Sequence, residues 1–128
     1  MNPSAADLAT LQGTWQQTYI EADGTPNPPD EYAAPGTLTT ITNQTFHVRH
    51  PNGTTLLQGT FELDATTSPK SITWTDSIGP DTGKPLPAIY HLTETHFTFI
   101  AADENTPRPQ TFQTSQGQTL RTFHRHPP

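Results

Sequence analysis

Cysteine is absent from this 128-residue sequence. Without it, the chain cannot form a disulfide framework, a thiolate metal site or a cysteine nucleophile. No apolar run approaches the length that a membrane span needs. Residues 1–4 carry neither the basic region nor the apolar core of a signal peptide. The sequence as given predicts a cytoplasmic protein, and a secreted or periplasmic one if a signal peptide was trimmed.

Positive charge is also scarce. Six Lys and Arg residues stand against twelve Asp and Glu residues, so the formal net charge is −6. A phosphate backbone would be repelled by this excess of negative charge. We therefore expect no nucleic-acid partner.

Apolar and charged residues are both few, at 30% and 14% of the chain. Threonine takes their place and is the commonest residue; its β-branched side chain favours strands. Two Trp, three Tyr and six Phe are spread along the sequence, which argues against disorder. The composition predicts one domain built from sheets with a polar, solvated face.

A short helix is predicted at the N-terminus. The stretch Ser4-Ala5-Ala6-Asp7 has the form of a capping box, Leu8 and Leu11 are spaced as on one helical face, and Gly13 is a suitable stop. Trp15, Gln17 and Tyr19 then alternate with polar neighbours, which predicts a first strand with these three side chains on one face.

Short alternating runs separated by turn signals follow to the end of the chain. The alternation puts Leu57, Gly59, Phe61 and Leu63 on one face of a strand, with Gly59 as a candidate bulge or bend. Such spacing predicts an antiparallel sandwich or barrel, and the hairpin-like connections favour an up-and-down order. The predicted loops are 21–36, 76–85 and 103–109, and the predicted strands are 14–21, 37–42, 45–50, 54–63, 71–75, 86–92, 96–101, 110–114 and 119–125.

Several blocks of the sequence resemble a known family. The helix followed by Gly-Thr-Trp resembles the start of lipocalins and related calycin barrels, and is most similar to the bacterial lipocalin-like domains common in planctomycetes. The blocks, in order, are Leu11-Gln12-Gly13-Thr14-Trp15, Glu21-Ala22-Asp23-Gly24, Gly59-Thr60-Phe61-Glu62-Leu63-Asp64, Pro69-Lys70-Ser71-Ile72, Ile89-Tyr90-His91-Leu92 and Arg108-Pro109.

The resemblance implies an all-β fold, namely an antiparallel up-and-down eight-stranded lipocalin-like barrel with a short N-terminal helix. Residues 1–128 would form a single domain, with 1–13 as helix and lead-in and 14–126 as barrel. It implies no established activity. In lipocalins an arginine of the last strand packs across the first-strand indole, so Trp15, Gly13 and Arg121 are expected to be structural, with Arg125 as the alternative arginine.

The interior of an eight-stranded barrel is either filled by side chains or holds one small ligand. Both alternatives fit the aromatic residues that alternation points inward. In the second, Tyr90 is the expected polar contact, because a buried phenol needs a hydrogen-bond partner. The predicted ligand-binding residues are Tyr90, Trp74, Phe61, Phe99, Phe46 and Phe97.

Motifs for metals and catalysis are lacking. His124 and His126 share a strand face, and His91 and His96 flank one hairpin, but neither pair has an evident third ligand. No Gly-x-Ser-x-Gly elbow and no phosphate-binding loop occurs. We therefore predict no catalytic residue, no metal site and no cofactor.

The leading functional hypothesis is a non-enzymatic module that binds a small apolar or aromatic molecule. A protein-interaction module acting through its loops, such as a protease inhibitor, is the first alternative. A barrel enzyme that cyclises or isomerises an enclosed molecule is the second. Closed barrels lack free sheet edges, which favours a monomer.

Overall fold

A computed structural model describes residues 2–26, 36–79 and 82–126. Within these ranges the chain forms one helix and nine strands. The predicted loop residues 27–35, 80 and 81 lie outside the described part. The elements in chain order are α1 (Pro3–Leu11), β1 (Gly13–Ala22), β2 (Thr25–Pro26), β3 (Leu38–Thr42), β4 (Thr45–Arg49), β5 (Thr55–Asp64), β6 (Lys70–Asp76), β7 (Pro85–Leu92), β8 (His96–Ala102) and β9 (Gln118–Arg125).

Each strand pairs antiparallel with the next, in the order β1-β3-β4-β5-β6-β7-β8-β9, and β1 pairs with β9 to close the sheet. The two-residue strand β2 only extends the end of β1 as a hairpin. The remaining eight strands form a closed antiparallel barrel with one short N-terminal helix. The predicted all-β, up-and-down, eight-stranded barrel is therefore confirmed.

The helix α1 begins earlier than the capping-box pattern predicts. The Asn2 side chain is the N-cap and accepts a hydrogen bond from the Ala5 amide at 2.7 Å, and Pro3 occupies the first helical turn. Asparagine before proline is a favoured helix start. The predicted cap at Ser4 is wrong: its hydroxyl instead accepts from the Ala65 amide at 2.9 Å and ties the helix to the chain beyond β5.

Side-chain alternation places the predicted faces inside the barrel. Phe61, Tyr90 and Phe99, from three different strands, belong to one buried cluster. The ladder runs through Gly59 without a register shift, so of the two alternatives predicted there, a bulge or a bend, the bulge is absent. Gly59 serves a close approach of strands instead, because a Cβ atom at this position would lie 2.1 Å from the Thr75 carbonyl oxygen.

The alternation of inward and outward side chains is interrupted in β1. Its pairing with β9 shifts register between Gln17 and Tyr19. Gln17 stays buried inside, whereas Tyr19 packs with a separate cluster and Ile20 becomes the next buried residue. The prediction that Tyr19 shares the face of Trp15 is therefore wrong, because the extra residue of a bulge reverses the alternation that follows it.

The predicted strand at 110–114 does not form. Strands β8 and β9 pair directly with each other, so no sheet edge is left between them for another strand. Phe112, the centre of the predicted strand, is 36% exposed. Residues 103–117 form one long connection, longer than the predicted loop 103–109.

This connection is attached to the outer wall of the barrel at two places. Arg108 donates to the carbonyl oxygens of Ile72 and Ala88 at 2.9 and 2.7 Å, on β6 and β7. The Thr114 hydroxyl donates to Glu21 of β1 at 2.6 Å. A segment fixed to β6–β7 and to β1 crosses β8 and β9 in between. There a second buried cluster covers the outer face, formed by Ile89, Ile100 and Leu120 with Tyr19 against it.

Trp15 closes one end of the barrel, beneath α1. It is 1% exposed, and its Nε1 donates to the carbonyl of Leu11 at 2.8 Å. The guanidinium of Arg125 lies 4.2 Å from the centre of an indole ring and also donates to the carbonyl of Gln12 at 2.9 Å. Gly13 leaves room for it, because with φ +119° a Cβ there would lie 3.0 Å from Arg125 Nη1.

The arginine that packs on the Trp15 indole is therefore Arg125, and the prediction that Arg121 takes this place is wrong. The register pairs Trp15 directly with Arg125, four residues beyond Arg121 on β9. Arg121 also points inward but lines the interior farther from this closed end. Trp15 and Gly13 take the positions that the sequence predicted for them.

Replacing Trp15 by alanine should lower the free energy of unfolding by about 3–5 kcal/mol, as for other buried large aromatics. It removes a filled volume, a hydrogen bond and the cation–π contact together. Urea unfolding measures the loss. Phe112→Ala, at an exposed aromatic, is the control and should stay within about 0.5 kcal/mol of the wild type. Equal losses in the two variants would place Trp15 outside the core.

Candidate functional site

A cavity of about 220 Å³ lies inside the barrel. Side chains from every barrel strand contribute to its wall. The lining residues are Trp15, Gln17, Thr39, Ile41, Phe46, Val48, Leu57, Trp74, Asp76, Leu86, Phe97, Phe99, Ala101, Ala102, Asp103, Thr119, Arg121 and Phe123. The barrel is thus neither completely filled nor an open channel.

The part of the cavity nearest the closed end is aromatic. Trp74 stands at its centre: its ring centroid is 4.8 Å from that of Phe99, 5.2 Å from Phe46 and 6.4 Å from Phe97. Phe123 stacks on Phe97 with 5.7 Å between centroids. Aromatic pairs at these distances favour each other beyond their buried area. We call these five residues the aromatic layer.

A polar layer follows toward the opposite end of the barrel, consisting of Gln17, Thr39, Asp76, Thr119 and Arg121. The exposed Asp103 also lines the cavity. Strand direction sets this order. On β6, Lys70 contacts the helix at the closed end and Asp76 comes two residues beyond Trp74. On β9, Arg125 covers Trp15, and Arg121 lies two residues before Phe123, away from that end.

Three members of the polar layer are buried, and the other two, Thr119 and Arg121, are partly exposed. Gln17, Asp76 and Thr39 are 3%, 7% and 7% exposed. Nη1 of Arg121 donates to Oε1 of Gln17 at 3.4 Å, which joins the β9 and β1 walls of the cavity. Buried polar groups are costly unless they find partners. A cavity lined by them offers hydrogen bonds to a ligand as well as apolar contact.

Trp74 adds a buried donor. Its side chain lines the cavity and is 6% exposed. Within the described residues, its Nε1 has no hydrogen-bond partner. Buried N–H groups nearly always have one, so this indole marks a place where the described part of the chain leaves the interior unsatisfied.

The six predicted ligand-binding residues all belong to one buried cluster, but they do not all reach the cavity. Phe46, Trp74, Phe97 and Phe99 line it. Phe61 and Tyr90 are absent from its lining. Phe61 packs behind Trp74, with 5.3 Å between the ring centroids.

Tyr90 is engaged at the closed end. Its hydroxyl donates to Oδ2 of Asp7 in the helix at 2.7 Å, and Nζ of Lys70 donates to the same oxygen at 2.9 Å. Burial raises the pKa of Tyr90 well above its ordinary value, and the hydrogen bond and charge of Asp7 raise it further. The expected polar contact for a ligand is therefore a contact between barrel and helix.

The polar cavity residues that the sequence did not predict as ligand-binding are Gln17, Thr39, Asp76, Asp103, Thr119 and Arg121. Asp76 continues the inward alternation of Ile72 and Trp74, which is the signal that could have revealed it. The sequence favours a loop at Asp76 instead, because Asp and the Gly and Pro residues that follow it are typical of turns.

The histidines do not form a metal centre in the described residues, where no group of three or more metal-ligating side chains occurs. His91 lies opposite Thr98, so it does not face His96 across their hairpin. His96 instead lies opposite His124, and their ring centroids are 4.2 Å apart on the exposed outer face.

No family model, curated protein or solved structure matches this chain. Among the described residues, none of the helical structure has the length and apolar character required to traverse a lipid bilayer.

Replacing Tyr90 by phenylalanine should change how stability depends on alkaline pH. In the unfolded chain the phenol loses its proton near pH 10, whereas in the folded protein its raised pKa retains it. The contribution of Tyr90 to the free energy of unfolding is thus complete below about pH 10. Above that pH it declines by about 1.4 kcal/mol per pH unit.

Urea unfolding between pH 9 and pH 11 measures this contribution. The free energy of unfolding should fall less steeply with pH in Tyr90→Phe than in the wild type. Tyr19, whose pKa is also raised, is present in both proteins and cancels from the comparison. Parallel curves for the two proteins would show that Tyr90 ionises equally easily in both states.

Proposed function

We propose that this barrel is a non-enzymatic binding module for a small, partly apolar molecule, and that the molecule occupies the cavity. The observation that carries the proposal is the division of one cavity into an aromatic layer and a polar layer. A packed core would need neither the remaining space nor the buried Asp76 and the partly exposed Arg121 in its wall. Membership of the lipocalin-like domain family is part of the proposal and is compatible with the closed barrel.

The size of the cavity limits the ligand. An apolar cavity of about 150 Å³ accommodates benzene, whereas pockets for drug-sized molecules begin near ~300 Å³. A cavity of about 220 Å³ lies between these values. The proposed ligand therefore has one ring or two fused rings with a short substituent, and the long chain of a fatty acid would not fit.

The two layers also orient the ligand. Burying a ring against Trp74, Phe99 and Phe123 is favourable, and a polar substituent is least costly where it meets hydrogen-bonding groups. The ring should point to the closed end, and the polar group should lie level with Asp76 and Arg121.

The enzymatic alternative has less support from the lining. Among the described residues, the cavity wall contains no His, Ser, Lys or Tyr, the side chains that most often serve as nucleophiles or proton-transfer groups besides carboxylates. The protein-interaction alternative also has little support. In the described part of the chain, the exposed large apolar side chains are the single residues Ile78 and Phe112, which do not form a patch.

Titration of the protein with the free small molecule indole tests the proposal. Binding to the cavity should raise the thermal unfolding temperature of the wild type and shift the NMR signals of Phe99 and Trp74. Ala101→Phe should abolish both effects, because Ala101 lines the cavity and the added ring would occupy it. Gln58→Phe adds the same ring on the exposed outer face and is the matched control.

Native mass spectrometry of the purified wild type and the same two variants complements the titration. A small molecule retained by the wild type and Gln58→Phe but lost from folded Ala101→Phe would support the proposal. Indole effects of equal size in all three proteins would contradict it, because binding would then occur elsewhere.

A further inference from the structure

We propose that His96 and His124 together bind a divalent transition-metal ion on the outer face of the barrel. The site lies apart from the cavity, because neither histidine belongs to the cavity wall. The inference therefore goes beyond the proposed function and does not depend on it. The ion would be one that favours imidazole nitrogen, and Cu²⁺ should bind most tightly among the divalent ions of this kind.

The register of the closed sheet brings the two rings together. His96 begins β8, His124 lies in β9, and the ladder places them directly opposite each other. Opposite side chains of an antiparallel pair have Cβ atoms about 4.5–5.5 Å apart, so both rings can reach one ion above the sheet. The sequence suggested His91 with His96 and His124 with His126 as pairs, and strand pairing instead joins one member of each.

The distance between the rings suits a shared ion. The ring centroids are 4.2 Å apart, and the ring planes are inclined to each other by 62°. Two imidazoles that bind one ion at the usual metal–nitrogen distance of about 2.0–2.1 Å have centroids roughly 4.5–5 Å apart. The observed separation is slightly shorter, and two exposed side chains can close that difference by small rotations.

A hydrogen bond beside the pair orients one of the rings. The hydroxyl oxygen of Thr95 lies 2.8 Å from Nδ1 of His96. When the Nδ1–H group donates to this oxygen, Nε2 keeps its lone pair and is the nitrogen that binds the ion. Metal-binding histidines commonly make such a second hydrogen bond, which fixes the tautomer and the ring orientation.

The surroundings leave the ion accessible and favour its charge. Both histidines are exposed, so water can occupy the coordination positions that the protein does not fill. The formal net charge of −6 on the chain attracts cations. Two protein ligands are fewer than the three of a catalytic zinc centre, so we expect moderate affinity and an open coordination sphere.

Titration of the full chain with copper(II) chloride tests the inference. Isothermal titration calorimetry with glycine as a competing chelator should show one Cu²⁺ ion bound per chain. His96→Ala and His124→Ala should each weaken binding at least about tenfold, because removing one ring converts a chelate into a single-ligand site. His91→Ala removes an exposed histidine that lies opposite Thr98, and this matched control should bind copper as the wild type does.

Two further readouts identify the site. Pulsed electron paramagnetic resonance of the bound Cu²⁺ should show two coordinated imidazoles in the wild type and one in His124→Ala. The ion should also raise the urea midpoint of the wild type and leave that of His124→Ala unchanged, because only the folded sheet assembles the pair. Since both histidines are exposed, the variants without copper should unfold close to the wild type.

Three results would overturn the inference. The first is equal copper affinity in the wild type and both alanine variants of the pair, and the second is an equal loss in His91→Ala. The third is a single coordinated imidazole in the wild type, because one histidine would then hold the ion alone. These measurements do not involve the cavity, so their failure would leave the proposed function to its own tests.

Discussion

Closure of the sheet between β1 and β9 is the constraint on which the other features depend. In a closed eight-stranded barrel, every second side chain must point into an interior scarcely wider than the side chains themselves. The closing ladder pairs Trp15 with Arg125, and the indole, the guanidinium and the helix together fill one end. The remaining space therefore lies farther along the axis, where the aromatic and polar layers enclose it.

Alternation in the sequence was enough to predict which side chains enter the barrel, but not how deep each of them lies. Phe97 and Phe99 lie inside the barrel as predicted, since one period-two pattern fixes the face of a strand. Arg121 and Arg125 share a face for the same reason. Which of them meets Trp15 depends on the register of two strands more than 90 residues apart, as their pairing shows, and nothing local encodes that register. The same limit explains why Tyr90 was expected at a ligand and lies at the helix.

Local irregularities account for the other differences. The bulge after Gln17 turns Tyr19 outward, although its neighbours alternate without interruption in the sequence. The pattern at 110–114 favoured a strand, but a strand also needs a partner edge, and the β8–β9 pairing leaves none. That segment instead belongs to the connection over the outer cluster. In both cases the pairing of strands that are distant in the sequence outweighed the local strand preference of the residues.

The most direct measurement is a crystal structure determined under xenon pressure. Xenon enters dry apolar cavities and is excluded from packed interiors. A hollow barrel predicts xenon inside it, in contact with Trp74, Phe99 and Phe123. An interior without xenon, with these side chains moved together to fill the space, would contradict the cavity and with it the proposed site.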